Sequence, residues 1–296
     1  MSRRYVYRKE IKLKKKSRLK KKFKCKWNNI ILAGLFVIFL SILLFSSYKI
    51  INRLIDKNKT DMLLSDINSM VTINSIDDII DINDIEVSEG LLEEKIDYYY
   101  EYLKIPFMSV EFSKLREINK EVVGWINVVG AEINYPYVQT TNNDYYLYYS
   151  FDKTKNDGGW VFLDCRNNKN NRDQNTIIYA HGGNTLALFG LLKNLYNKSD
   201  WFNNKDNHYI KISTEEYNLV YKVFSLYVIP TTSDYLQINF DDNDTYQKFL
   251  DKLINRSKYD FEVEVDVNDK IITLSTCYNK KEKLVLHGKL IKEDNK

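Results

Sequence analysis

Two residues of this chain have the side chains needed for nucleophilic chemistry: a cysteine at position 277 and a histidine 96 residues earlier. Cys277 ends the run Thr273–Cys277 (TLSTC), and His181 ends the run Ile177–His181 (IIYAH). A free thiol has a pKa of about 8.5, so a nucleophilic cysteine needs a neighbouring cation or base that raises its thiolate fraction. The pair predicts thiol-based acyl transfer, with His181 as the partner of Cys277.

Both residues lie where a predicted strand ends. The apolar run 270–275 leads to Cys277 and then to a polar stretch, so the thiol should emerge at a strand end. The run 176–180 leads to His181, and the following Gly182 permits a tight turn and a close backbone approach. We therefore expect the thiol and the imidazole to meet at the mouth of a barrel.

The sequence after Gly124 has the residue pattern of an all-β domain. Short β-branched and aromatic runs alternate with clusters of Asn, Asp and Gly, which predicts a barrel or a sandwich. The predicted strands are 125–129, 160–163, 176–180, 208–212, 217–229, 270–275 and 283–291.

Helical spacing is confined to three segments. Apolar residues predict short helices at 91–103 and 112–123, interrupted near Pro106. A third helix follows the capping residues 242–244 and has an apolar stripe at positions i, i+3, i+4, i+7 and i+8. This stripe consists of Tyr246, Phe249, Leu250, Leu253 and Ile254.

Three parts of the sequence resemble class B sortases. Thr273–Cys277 matches the Thr-Leu-x-Thr-Cys signature, Ile177–His181 resembles the strand that delivers the family's histidine, and Gly124–Leu147 with Gly159–Asp164 resembles its first strands. The resemblance covers about residues 106–292. It implies a mainly β fold, a closed β-barrel with short helices, preceded by an N-terminal helical segment and a transmembrane helix.

The resemblance also implies an activity, that of a cysteine transpeptidase. Cys277 would attack the threonine carbonyl of a C-terminal sorting signal on an exported protein, and His181 would protonate the departing amine. A peptidoglycan-precursor amine would then resolve the acyl enzyme and anchor the exported protein to the cell wall. By family analogy Ser275 and Thr276 would help to position the substrate. No Gly-rich phosphate loop and no zinc-ligand spacing is present, so the sequence implies no cofactor and no metal.

The third catalytic group departs from the family. Sortases normally have an arginine on the strand after the cysteine, but Lys283 stands there and no arginine follows Arg256. Lysine supplies a point charge without the planar fork of arginine. Lys283 can offset the oxyanion charge, and its lack of a second donor leaves either a slower enzyme or a compensating donor such as Arg256, Arg166 or Lys281. The alternative is a solvated lysine in a charged run.

Several other interpretations stay open at this point. The enzyme could polymerise pilin subunits through a lysine acceptor, act as a thiol protease, or be a weakened relative that serves as a membrane-anchored binding module. Cys277 could be a small buried residue or form a disulfide with Cys165, whereas Cys25 receives no role. Of the competing histidines, His208 is predicted to be solvated among Asn and Asp residues, and His287 to be an ordinary strand residue.

The amino terminus predicts a membrane anchor. Residues 1–29 contain 14 Lys or Arg and one Glu, whereas 30 basic and 39 acidic residues follow. Ile30–Tyr48 contains no charge, and its 19 residues would span about 28 Å as a helix, close to the hydrocarbon thickness of a bilayer. A cleaved signal peptide would have a shorter apolar region and a small-residue cleavage site, which does not follow Phe45.

The positive-inside rule sets the predicted topology. Residues 1–29 form a basic cytoplasmic arm that contacts anionic lipid rather than nucleic acid, and 30–48 cross the cell membrane once. Residues 49–105 form a stalk and an N-terminal helix. Residues 106–296 form an extracytoplasmic catalytic domain.

Overall fold

The computed structural model describes residues 27–76, 102–170, 172–182 and 187–296, and the chain divides into two units, 1–52 and 53–296. A long helix, α1 (Trp27–Met70), contains the predicted span Ile30–Tyr48. It is the one helix in the described ranges that is long and apolar enough to cross a membrane, and its apolar window is not buried against protein. The predicted cytoplasmic arm lies outside the described residues up to position 26.

The part of α1 within the second unit packs against the rest of that unit. Ile67 is fully buried, and the Thr60 hydroxyl accepts a hydrogen bond of 2.9 Å from the Asn156 side chain. The segment predicted as a stalk is therefore helical up to Met70. The predicted helix 91–103 lies almost entirely outside the described residues.

Within the described ranges, the second unit also contains ten strands, four further α-helices and three short 3₁₀ helices, Tyr145–Leu147, Leu188–Leu191 and Lys205–Asn207. A two-stranded sheet pairs β1 (Ile73–Ile76) with β2 (Phe107–Val110), antiparallel. The remaining strands are β3 (Val122–Val128), β4 (Ile133–Val138), β5 (Phe162–Leu163), β6 (Asn175–Tyr179), β7 (Tyr209–Ser213), β8 (Tyr217–Pro230), β9 (Ile271–Cys277) and β10 (Glu282–Asn295). The helices are α2 (Ser113–Ile118), α3 (Leu192–Asn197), α4 (Ser199–Asn203) and α5 (Asn243–Asn255).

Eight strands, β3 to β10, close into a barrel in the order β10-β8-β7-β3-β4-β5-β6-β9. The predicted mainly β barrel is thus confirmed. Most neighbours are antiparallel, but β4 pairs with β5 and β6 pairs with β9 in parallel. The parallel pair β6–β9 aligns the end of β6, which precedes His181, with the end of β9 at Cys277.

Burial explains why β9 contains no charged residue. Strand β9 is buried at every position except its last, Cys277. Its buried hydroxyl groups, on Thr273, Ser275 and Thr276, all have hydrogen-bond partners. The largest fully buried side chains include Trp125, Trp160, Tyr137, Tyr146, Tyr221 and Phe189.

The predicted helix 112–123 is wrong in its second half. Helix α2 ends at Ile118 because Asn119 adopts an extended backbone, and β3 begins at Val122. The Asn119 side chain donates hydrogen bonds of 2.7 Å to the Phe151 carbonyl and 2.8 Å to the Tyr146 hydroxyl. A polar side chain with buried partners outside the helix ends it at this point.

Helix α5 confirms the third helical prediction. The Asp242 carboxylate accepts a hydrogen bond of 2.7 Å from the Thr245 backbone N–H, as an N-cap does. Four members of the predicted stripe are buried, whereas Ile254 is 37% exposed. The helix lies in the connection between β8 and β9.

Candidate active site

The register of β6 and β9 brings the predicted histidine and cysteine together. Tyr179 is the partner of Ser275 in this parallel pair, so His181 and Cys277 each lie two residues beyond the same level. The Ala180 N–H and carbonyl both bond to β9, the latter to the Thr276 hydroxyl at 2.8 Å. The pairing therefore persists up to the residue before the histidine.

Gly182 allows the two strand ends to approach each other closely. A side chain at this position would collide with the Thr276 hydroxyl and with the backbone carbonyl of Cys277. The close approach predicted from the sequence is thus seen, and it is directed at the residue that carries the thiol.

Lys283 lies next to Cys277 on the neighbouring strand β10, on the side of β9 opposite to β6. It is the cross-strand partner of Cys277 in the antiparallel pair β9–β10. Its Nζ donates a hydrogen bond of 3.2 Å to the Cys277 Sγ. The contact places a positive charge next to the sulfur.

These three residues line one cleft with a volume of about 590 Å³. The cleft is open and more apolar than polar, with a few polar groups among apolar side chains, as in binding sites for peptides and small molecules. Its remaining lining consists of Asn143, Leu147, Phe162, Tyr179, Ala180, Thr231, Thr232, Ser233, Tyr235, Leu236, Ser275 and Thr276.

Burial and charge both act on the imidazole. Burial lowers the pKa of His181 below its ordinary value, and the positive charge of Lys283 lowers it further. A hydrogen bond with the Leu147 backbone and the charge of Asp157 oppose that shift in the pKa. His181 is therefore neutral at pH 7 and can accept a proton.

A thiol, a neutral imidazole and an ammonium group in one cleft form the arrangement expected for acyl transfer through a thioester. The family model described as "Sortase domain" matches residues 127–291, more than half of the chain. The chain belongs to the sortase family. It is a cysteine transpeptidase, and its relatives assign it to class B.

The relatives match about two thirds of this chain. Sortase B of Staphylococcus aureus (strain NCTC 8325 / PS 47) is 36% identical over 190 residues, which are 62% of this chain and 75% of that protein. A Staphylococcus aureus sortase B–substrate complex matches with a TM-score of 0.56 and 31% identity, over 67% of this chain and 94% of that one. A crystal structure of sortase B complexed with triglycine matches with a TM-score of 0.56 and 30% identity, over 67% and 95%.

The two predicted positioning residues of this sortase differ in what their hydroxyls do. The Ser275 hydroxyl lies 2.9 Å from the Tyr235 hydroxyl, and both residues line the cleft. The Thr276 hydroxyl is engaged with the Ala180 carbonyl, so it holds β6 against β9. Tyr235 had no signal in the sequence, because it follows a polar loop with no periodic pattern.

Two of the alternative cations predicted for the site are held elsewhere. Arg256 binds Asp234 through both terminal nitrogens, at 2.6 and 3.1 Å. Arg166 binds Asp164 and donates a hydrogen bond of 3.1 Å to the Leu236 carbonyl. Both arginines thus anchor the cleft-lining loop 231–236 from outside.

The third alternative cation, Lys281, contacts the same loop through its backbone. Its carbonyl accepts a hydrogen bond of 2.9 Å from the Thr231 N–H. Of the four cations considered from the sequence, Lys283 is the one that lines the cleft.

The two competing histidines are buried structural residues. His287 lies on β10 with no exposed surface, bonded to the Thr273 and Tyr227 hydroxyls, and burial lowers its pKa to about 3. The prediction that His208 is solvated is wrong: it is 3% exposed, bonded to the Phe202 carbonyl, and burial lowers its pKa to about 4. The polar neighbours in sequence gave no sign of the aromatic side chains that surround it.

The cysteines do not form the disulfide considered from the sequence. Cys165 and Cys277 are both free thiols. Within the described ranges, no three His, Cys, Asp or Glu side chains converge in a way that could hold a metal ion.

Proposed function

We propose that this sortase cleaves a C-terminal sorting signal after threonine and transfers the acyl group to an amine, which anchors exported proteins to the cell wall. The observation that carries the proposal is the convergence of Cys277, His181 and Lys283 in one cleft at the barrel end. Relatives in complex with a substrate and with triglycine support a peptide donor and an amine acceptor.

In the first half-reaction, the thiol of Cys277 gives its proton to the neutral imidazole of His181. The thiolate attacks the threonine carbonyl carbon and forms a tetrahedral intermediate with a negatively charged oxygen. The C–N bond then breaks, and the departing amine takes the proton back from the imidazolium. The acyl group remains on the sulfur as a thioester.

In the second half-reaction, an acceptor amine attacks the thioester carbon. His181 accepts the proton of the attacking amine, the C–S bond breaks, and an amide forms. A peptidoglycan-precursor amine is the acceptor that fits anchoring to the cell wall. A pilin lysine would use the same steps, and the identity of the covalent product separates the two.

Lys283 takes the place of the family's arginine in this mechanism. Its ammonium group lies 3.2 Å from the sulfur, and its charge offsets the negative charge of the oxyanion in the tetrahedral intermediate. Because lysine lacks the planar fork, it gives one donor direction where arginine would give two. Ser275 and Tyr235, whose hydroxyls lie 2.9 Å apart, contribute polar contacts on the cleft wall.

The proposed location is the cell membrane, with residues 1–29 in the cytoplasm and the catalytic domain outside. Support comes from the apolar surface of α1 and from the basic residues that precede it. The substrates would then be exported proteins, which reach the barrel on the same side of the membrane.

The test is incubation of the full chain, in detergent, with a panel of sorting peptides, with and without an added amine; each peptide contains an Asn-Pro-x-Thr or Leu-Pro-x-Thr type motif followed by further residues, so that an amine can leave when the bond after threonine breaks. Mass spectrometry of the protein detects the thioester, and mass spectrometry of the peptides detects cleavage after threonine and the amide product. Cys277→Ala removes the nucleophile, and Cys165→Ser is the matched control because Cys165 is also a free thiol.

The proposal expects a thioester on the wild-type protein and on Cys165→Ser, and none on Cys277→Ala. Retained cleavage in Cys277→Ala would rule out the mechanism. Hydrolysis whose rate and products do not respond to added amine would show a thiol protease instead.

A further inference from the structure

An ion pair that the mechanism does not use is bonded to the lining of the cleft without lining the cleft itself. Asp164 follows β5 and has no exposed surface. The Arg166 side chain donates two hydrogen bonds to its carboxylate, from Nε at 2.9 Å and from a terminal nitrogen at 2.7 Å. Burial alone would raise the pKa of Asp164, but the hydrogen bonds outweigh burial and lower this pKa. Asp164 is therefore ionised at neutral pH, and we call the two residues the wall pair.

The carboxylate of the wall pair holds two lining residues that come from different segments of the chain. The Tyr179 hydroxyl, at the end of β6, donates a hydrogen bond of 2.9 Å to Asp164. The side chain of Asn143, in the connection between β4 and β5, is hydrogen-bonded to the same carboxylate. The Asn143 side-chain oxygen also accepts a hydrogen bond of 2.8 Å from the Cys165 N–H. Both polar groups are thus fixed before a peptide enters the cleft.

The guanidinium of the wall pair extends these contacts to a third segment, the loop 231–236. The terminal nitrogen of Arg166 that binds Asp164 also donates a hydrogen bond of 3.1 Å to the Leu236 carbonyl. Five of the six residues of this loop line the cleft. One planar group therefore joins the loop to the carboxylate that holds Asn143 and Tyr179.

The reacting groups are held by other contacts. The Ala180 N–H and carbonyl bond to β9 and align His181 with the end of that strand. The pairing of β9 with β10 places Lys283 opposite Cys277. These contacts do not involve the wall pair. A change in the wall pair should therefore alter the walls of the cleft and leave the reacting groups in place.

We infer that Asp164 and Arg166 are positioning residues for the donor peptide, because they set the spacing between loop 231–236 and the opposite lining of the cleft. This inference rests on the proposed function, in which the acyl part of the sorting peptide occupies the cleft. Walls that are already held at the bound spacing lose little freedom when the peptide binds, so less binding free energy is spent on ordering them. The wall pair therefore controls peptide binding rather than the making and breaking of bonds.

The experiment measures the rate of thioester formation at increasing concentrations of a sorting peptide, with the full chain in detergent. It gives a half-saturating peptide concentration and a maximal rate. Arg166→Gln removes the guanidinium from a side chain that is 53% exposed, so the barrel should tolerate the change. Arg172→Gln is the matched control, because Arg172 forms an ion pair of 3.2 Å with Glu293 outside the cleft lining.

We expect Arg166→Gln to raise the half-saturating concentration about tenfold, as fits the cost of ordering one or two side chains on binding. The maximal rate should change by less than about twofold, because binding is weakened without a change in the chemical step. Arg172→Gln should leave both quantities unchanged. A purely structural role would instead reduce the amount of folded protein, and hence the maximal rate, at an unchanged half-saturating concentration.

Two further variants test whether the wall pair acts as a unit. Arg166→Lys keeps the charge, but an ammonium group lacks the planar fork that binds both Asp164 and the Leu236 carbonyl, so the half-saturating concentration should stay raised. Asp164→Asn removes the other charge. Combined with Arg166→Gln, it should bind the peptide no worse than the weaker of the two single variants, since residues that share one network are not additive.

An unchanged half-saturating concentration in Arg166→Gln, or its full recovery in Arg166→Lys, would overturn the inference. Additive effects in the double variant would do the same. If Asp164→Asn does not fold, the two Arg166 variants still decide. A wild-type protein that forms no thioester with any sorting peptide would instead overturn the proposed function, and the inference with it, so the wild type distinguishes the two failures.

Discussion

The ammonium group of Lys283 and the sulfur of Cys277 are 3.2 Å apart because the two residues are direct cross-strand partners on β9 and β10. This relationship fixes where the lysine charge acts. A lysine at this register position reaches the sulfur itself. We therefore expect Lys283 to control the reactivity of the thiol before any substrate binds.

Replacing Lys283 with glutamine should slow alkylation of Cys277 at neutral pH by about tenfold. A hydrogen bond to a charged group contributes about 1.5 to 3 kcal/mol, and the thiolate is the form that reacts. The measurement is the rate of iodoacetamide labelling of Cys277 at pH 7, followed by peptide mass spectrometry. Labelling of Cys165 in the same sample serves as an internal reference.

Lys283→Arg is the control for charge. It keeps a cation on the same strand position and should retain most of the labelling rate, while adding a second donor towards the oxyanion. If Lys283→Gln labelled as fast as the wild type, the ammonium group would have no influence on the thiol, and only its role at the oxyanion would remain.

Lys283→Gln should also change the pKa of His181. The Lys283 charge and burial both lower the pKa of His181, so the neutral imidazole persists to lower pH than in a free histidine. Removing the charge should raise that pKa and shift the acid limb of kcat/KM to higher pH. Proton NMR of the three histidines can follow this, because burial lowers the pKa of His208 to about 4 and that of His287 to about 3.

Two observations would decide that prediction. The His181 resonance should titrate below pH 6.5 in the wild type and at higher pH in Lys283→Gln, and the acid limb should follow it. An acid limb that stays in place while the His181 resonance moves would mean that another group limits the rate.

The sequence could predict the barrel and the two strand ends because both depend on local patterns. Buried strands such as β9 appear as apolar runs, and a cysteine and a histidine that end such runs are exposed where the strands stop. The glycine that follows His181 also predicts a close backbone approach, and in the structure Gly182 does pack closely against the backbone of Cys277.

What sequence could not predict depends on contacts between distant segments. Strand β4 is absent from the predicted runs, since Pro136 and Asn134 interrupt its pattern, although they pair with Trp125 and Asn127 of β3. From the sequence, Arg256 is a candidate for the catalytic cation, and only the structure shows that it binds Asp234. Partner choice of this kind is set by the fold, not by the neighbours in sequence.

Gly182→Ala should lower the transpeptidase rate by at least about tenfold and leave the barrel folded. The added methyl group would collide with the Thr276 hydroxyl and the Cys277 carbonyl, so the ends of β6 and β9 must separate. A displacement of about 1 Å between catalytic groups is enough to cost about a hundredfold. Thioester formation and circular dichroism are measured on the same protein.

Gly158→Ala is the matched glycine control, because its nearest contact is an Asn156 side-chain oxygen at 3.1 Å, away from the cleft lining. It should keep a nearly wild-type rate. Full activity in Gly182→Ala would show that the strand ends tolerate a wider spacing and that the close approach has no part in the chemistry.

His287→Gln should make the folded protein less sensitive to acid. In the native state His287 is buried and neutral, with a pKa of about 3, whereas in the unfolded chain its pKa is about 6.5. Between these values the unfolded state binds the extra proton, so the free energy of unfolding falls as the pH falls below 6.5. From pH 6.5 to pH 5 one such histidine costs about 2 kcal/mol of stability.

A glutamine amide can keep hydrogen bonds with the Thr273 and Tyr227 hydroxyls but does not titrate. The variant should therefore lose about 2 kcal/mol less than the wild type on the same acidification, whatever its stability at pH 7. Urea unfolding of the full chain in detergent at pH 7 and pH 5, followed by the fluorescence of buried tryptophans such as Trp125 and Trp160, measures this difference. An identical loss in both proteins would mean that His287 gains its proton without unfolding, which a fully buried imidazole between two hydroxyls should prevent.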